Sequence, residues 1–91
     1  MNSSEREIML IAQEECAEVT QAISKVFRFG IEGVHNGRTN RERLEEELGD
    51  LVCMIEMMMR RGIVNEDTVY SNALKKRDKL KTWSNINDSD K

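Results

Sequence analysis

Two short carboxylate pairs carry most of the chemistry legible in this chain. Glu15 and Glu18 stand three residues apart, and Glu47 and Asp50 repeat the spacing further on. Helical residues three apart are neighbours on one face. At roughly 100° per residue, Ile8, Ile11, Ala12, Cys16, Val19, Ala22, Ile23 and Val26 form one apolar arc. Glu15 falls inside that arc, Glu18 at its edge, and Glu14 further round towards solvent. The second helix has an arc of Leu44, Leu48, Leu51, Val52, Ile55, Met58 and Met59. Glu47 lies at its edge and Asp50 on the same flank, one turn on. A carboxylate facing a core is costly unless its charge is compensated. Four of them on matching flanks of two packed helices would repel. A hard divalent cation is the natural compensation, because Mg²⁺ takes oxygen ligands and accepts a carboxylate-rich site. The competing reading is an ordinary solvated acidic face, which the run Glu45-Glu46-Glu47 invites.

The opposite charge comes from the C-terminal third. Asn72, Lys76, Lys79 and Trp83 make one helical stripe, and Val69, Ala73 and Leu80 place it close to the core side. Lys76 is expected to point inward, and a buried lysine wants an anion such as a polyphosphate. Lys25 and Arg28 add to this charge. A solvated face with snorkelling lysines accounts for the same stripe. Trp83 or Phe29 could stack on a base, although core packing is the expected job of each. Other site chemistries find no residues. Gly30-Ile31-Glu32-Gly33 lacks the Lys-Ser/Thr of a phosphate loop. No Ser–His or Cys–His arrangement is visible. Cys16, Cys53 and His35 have no zinc-site spacing. The cysteines read as two small buried hydrophobes in a reducing compartment.

Three helices must position these groups. The absence of proline and the scarcity of β-branched runs favour an all-α chain. The first helix is expected from Ser4, in a capping box with Glu7, to about Phe29, with Gly30 as the stop. Gly30 to Thr39 reads as a loop, with room for one short extra turn. Thr39 and Glu42 form a second capping box, opening a helix from about Asn40 to Arg61, closed by Gly62. Asn65 caps a third helix from about Glu66 to Trp83. Residues 5–83 form the expected ordered core of a single domain spanning 1–91, and Ser84 to Lys91 a polar tail.

With the motifs placed on their helices, the chain resembles a known family. Glu15-Cys16-Ala17-Glu18 followed by Glu47-Leu48-Gly49-Asp50 looks like the ExxE…ExxD signature of the all-α nucleoside triphosphate pyrophosphohydrolases, the MazG-like superfamily. The wider strings Glu14 to Val19 and Glu45 to Leu51 resemble its two motif helices. Ser24-Lys25-Val26-Phe27-Arg28-Phe29-Gly30 and Thr39-Asn40-Arg41-Glu42 resemble short, often phage-encoded members. The likeness covers about residues 5–83. It departs from the family in a long gap between the motifs and in lacking the extra C-terminal helix of larger members.

The resemblance implies hydrolysis of a (deoxy)nucleoside triphosphate between the α and β phosphates, giving a monophosphate and pyrophosphate. It implies Mg²⁺, with Mn²⁺ as a substitute, held by Glu15, Glu18, Glu47 and Asp50. One of these acids would instead orient or deprotonate the attacking water. Phosphoryl transfer needs charge neutralisation and positioning rather than a protein nucleophile. Lys25, Arg28, Lys76 and Lys79 are therefore the candidate phosphate ligands, and Asn72 a candidate for sugar or phosphate. Two alternatives stand beside this reading: a non-catalytic helical dimer acting as an interaction module, and a phosphoribosyl-ATP pyrophosphohydrolase.

The 91 residues include 17 acids and 14 bases, a net charge of −3, which argues against a general nucleic-acid binder. No apolar run is long enough to span a membrane. The first residues lack the basic start and apolar stretch of a secretory signal, so a cytoplasmic protein is expected. Three helices of this size cannot bury all the apolar surface offered. Met54, Ile55, Met57, Met58 and Met59 make the end of the second helix apolar on more than one side. A methionine-rich monomer core is one answer. The preferred one is a homodimer or homotetramer of four-helix-bundle type, with more than one chain contributing to each site.

Overall fold

The computed structural model describes residues 1–86. Three helices dominate: α1 (Ser3–Phe29), α2 (Asn40–Arg60) and α3 (Glu66–Trp83). The expected all-α class holds. The expected tail lies mostly at 87–91, outside the described residues.

The first helix starts earlier than the Ser4–Glu7 pairing predicts. Asn2 is the cap: its Oδ1 accepts from Glu5 N at 2.8 Å, and Glu5 Oε1 accepts from Asn2 N at 2.9 Å. Asn caps as well as Ser, and the earlier box satisfies the Asn2 and Glu5 amides while adding helical residues. The Thr39–Glu42 box forms as the sequence implies, and Asn65 Oδ1 accepts from Thr68 N at 2.9 Å. Arg61, expected inside α2, caps it, and Gly62 follows at φ 70°.

The stretch read as a loop contains a small antiparallel hairpin, β1 (Val34–His35) and β2 (Arg38–Thr39). Asn36 and Gly37 turn it with φ of 52° and 77°, the two positive values of a type I′ turn. The short extra element is thus extended rather than helical. Its base is stapled to the start of α2, where amide donors lack intrahelical partners. Asn40 N donates to Gly33 O and Arg41 N to Ile31 O, both at 2.9 Å. The Asn40 side chain, only 4% exposed, donates from Nδ2 to Gly30 O at 2.9 Å. Gly33 sits so close that a Cβ there would run into the Phe29 carbonyl.

Helices α1 and α2 pack antiparallel and hold the small core. Ile8, Ala12 and Met54 are buried together, with Met57, Met58 and Ile63 against them. Ala22 is buried further along α1. The second helix is rotated from its expected arc: Met54 faces α1, while Leu48 and Val52 are 42% and 52% exposed. A wheel averages over all apolar residues, and α2 carries two apolar faces, of which only one meets α1. Ile11 and Ile23 of α1 are likewise exposed. So are Cys16 and Cys53, which are not the buried pair that their apolar neighbours implied.

Helix α3 buries no residue. Its link to the pair runs through the turn, where Ile63 N donates to Met58 O at 3.0 Å. Lys76 is exposed, not inward, and Trp83 is 82% exposed rather than in a core. Phe29, at 61%, is equally outside it. The molecule measures 41 × 36 × 16 Å. The outer apolar faces of α1 and α2 stay open among the described residues. No described helix is long and apolar enough to cross a membrane.

Candidate metal and nucleotide site

The antiparallel packing of α1 on α2 brings the two carboxylate pairs together. One oxygen each from Glu15, Glu47 and Asp50 lies within 4.8 Å of the others. Glu15 and Glu47 are partly buried and Asp50 is exposed. Glu18 falls outside that trio but lines the neighbouring cavity with Glu47. Glu15 projects from the middle of the packed face of α1, between Ala12 and Ala22. Its Oε2 is buried and accepts no hydrogen bond.

An anion in that position is costly, and its proton affinity shows it. Glu15 is held above the ordinary carboxylate range, first by loss of solvent, then by repulsion from Asp50, Glu18 and Glu14. Glu47 is shifted the same way, again chiefly by burial, with Glu18, Asp50 and Glu15 adding to it. Burial and mutual repulsion raise both acids, and a bound cation would offset that cost. A set of hard carboxylate oxygens around an orphaned one fits an Mg²⁺-type ion better than a soft metal.

The cations divide into two groups. Lys25 lines the cavity that holds Glu18 and Glu47. Arg28 stands one turn on, its guanidinium 4.9 Å from the centre of the Phe29 ring. Asn72, Lys76 and Lys79 lie exposed on α3, and none lines the cavity beside the acids. The chain alone therefore gathers the acids and Lys25 but leaves the α3 stripe apart.

Sequence reasoning overlooked two residues near the site. Arg43 lines the acid-side cavity together with Lys25 and donates from Nη2 to His35 O at 2.9 Å. Asn40 lines the same cavity and fixes the loop. The signal that could have found them is Asn36-Gly37, a strong hairpin dipeptide, which folds the loop back over the first turn of α2.

The family model described as the MazG nucleotide pyrophosphohydrolase domain matches residues 3–82. The chain belongs to the MazG nucleotide pyrophosphohydrolase family. The matched span contains α1, the hairpin, α2 and nearly all of α3. No curated protein and no solved structure gives a significant match. The family is one of nucleotide pyrophosphohydrolases and is generally metal-dependent, and this chain carries an acidic cluster of the kind a metal needs.

Proposed function

We propose that this chain is a Mg²⁺-dependent hydrolase of (deoxy)nucleoside triphosphates, cleaving between the α and β phosphates to release pyrophosphate. The observation that carries the reading is the Glu15–Glu47–Asp50 cluster with its buried, unpartnered oxygen, at the seam of two helices in a MazG-family chain. Glu15, Glu18, Glu47 and Asp50 would hold the cation, with Mn²⁺ able to replace Mg²⁺. When bound, the ion supplies neutralisation of phosphate oxygens and a lowered pKa for water. The raised proton affinity of Glu15 and Glu47 suits whichever of them faces water to accept its proton. Lys25 and Arg28 bind phosphate from the α1 side.

The active form in this reading is a homodimer or homotetramer. The accessible surface is 7278 Å², where a folded monomer of this mass exposes about 5,500 Å². The excess, roughly 1,800 Å² per chain, is more than one partner's share of a standard interface. Leu48 and Val52 on α2, and Met9, Ile23 and Phe27 on α1, are among the apolar residues left open. A second copy against them would also give Asn72, Lys76 and Lys79 a route to a neighbouring acidic cluster, completing the site between chains. The enzyme acts in the cytoplasm, where nucleotides and reduced cysteines are found.

The test is a panel of standard and modified nucleoside triphosphates, with Mg²⁺ present or chelated and the products identified by ³¹P NMR. The reading expects monophosphate and pyrophosphate in equal amounts, only with metal. No turnover of any member, or release of orthophosphate instead, contradicts it.

A further inference from the structure

A cavity of about 320 Å³ opens between the last turns of α1, the hairpin and the first turn of α2. That is within the range of small-molecule sites, if at its lower end. Lys25, Asn40 and Arg43 line both this space and the smaller one against Glu18 and Glu47. The two spaces therefore share a wall. The wall is basic, and neither Lys25 nor Arg43 is ion-paired among the described residues, whose pairs are Arg38–Glu46, Arg41–Glu32 and Lys81–Asp78. Arg43 is held in place by the His35 carbonyl, and its Nε is buried without an acceptor. Beyond the wall the lining is Phe29, Gly33, Val34 and His35.

Together the two adjoining spaces offer carboxylates for a cation, two positive charges that make no ion pair among the described residues, and then Phe29 and His35. Few ligands present the matching sequence of groups. A polyphosphate with its metal, a phosphate ester next to a sugar, and a planar heterocycle do so in that order. We propose that the hairpin cavity is the nucleoside subsite. The base lies against Phe29 and His35, and Lys25 and Arg43 meet the phosphate attached to the sugar. The hairpin then sets base preference, with Arg43 fastening it to α2. The inference deepens the pyrophosphohydrolase reading and rests on it for the identity of the substrate, but binding can be measured without catalysis.

The experiment uses the full chain, ¹⁵N-labelled, with divalent metal chelated. Nucleoside monophosphates and ribose 5-phosphate, which lacks only the base, are titrated in parallel. The expected result is that monophosphates move the amides of Gly33, His35 and Arg43, and that ribose 5-phosphate binds more weakly. Stacking lost on truncating an aromatic residue weakens binding by about fivefold or more. Phe29→Ala with His35→Ala should therefore cost at least about that factor for monophosphates and nothing for ribose 5-phosphate. Phe29 is mostly exposed and His35 is on the hairpin surface, so an unchanged far-UV spectrum and melting curve should accompany the loss. The proposal is overturned if the two ligands bind alike, if the shifts fall elsewhere, or if the double variant weakens neither or both. An inert enzyme that still binds monophosphates at the hairpin would sink the catalytic reading and leave the subsite standing. An active enzyme whose KM ignores the double variant would do the reverse.

Discussion

Replacing Asn40 with alanine tests how the sequence builds the wall of the site. Asn40 is the one buried polar side chain among the described residues, and its amide ties Gly30 to the first turn of α2 at 2.9 Å. Alanine removes that bond. The Gly30 carbonyl is not orphaned, because it still accepts from Gly33 N at 3.1 Å. The loss is therefore that of one net hydrogen bond, about 0.5–1.5 kcal/mol, with a small addition for the space left by the amide. A total of about 1.5 kcal/mol lowers the melting temperature by roughly 6–12 °C in a domain of this size. Arg41→Ala is the matched control. It breaks a 2.9 Å ion pair with Glu32 between side chains 55% and 70% exposed, and such pairs contribute about 0–1 kcal/mol. Both variants are melted at one protein concentration, since any oligomer makes the midpoint concentration-dependent. Hydrogen exchange at Gly33 and His35 should quicken in Asn40→Ala alone. A loss below about 0.5 kcal/mol, or an equal loss in Arg41→Ala, would refute the staple.

Two further outcomes follow from the same geometry. Glu15 and Glu47 have folded-state proton affinities above their ordinary value of 4.5. Their contribution to stability is fully present below about pH 4.5 and lost as pH rises through the higher folded values. With metal chelated, Glu15→Gln should therefore be more stable than the parent near neutral pH, and the gain should vanish below pH 4.5; a gain independent of pH argues against a strained carboxylate. The comparison must be between variants, because Glu42 is shifted down by the Thr39 backbone and hydroxyl donors and gives the opposite slope. Leu48→Glu with Val52→Glu places charges on the uncovered face of α2, and light scattering should show the assembly reduced to single chains; an unchanged mass would move the interface elsewhere.

The helices were legible because their signals are local. Thr39 with Glu42 and Asn65 before Glu66 fix two helix starts by backbone donors within one turn, and no distant contact alters them. Glu15 was legible as a misplaced charge in an apolar arc, and packing bears out its position. What failed was anything set by a partner surface. The arc of α2 read from periodicity differs from the packed face because Leu48 and Val52 belong to a second apolar face, open among the described residues. Lys76, Trp83, Cys16 and Cys53 read as interior for the same reason: periodicity says that a face is apolar, not what covers it. The hairpin was overlooked although Asn36-Gly37 announces it, because its strands of two residues each leave no alternation to read. Arg43 carries no signal of its own in the sequence, since only the folded hairpin gives it a cavity to line.

The proposed function requires the carboxylates at the α1–α2 seam to hold a divalent cation. The most direct measurement is the melting temperature against Mg²⁺ concentration, for the parent and for Glu15→Gln. A ligand bound only by the folded chain stabilises by about 2.7 kcal/mol at a hundred times its dissociation constant. The parent should therefore melt higher by roughly 10–20 °C at that excess, and Glu15→Gln by much less. Equal rises in both, or none in the parent, would contradict the site and the function built on it.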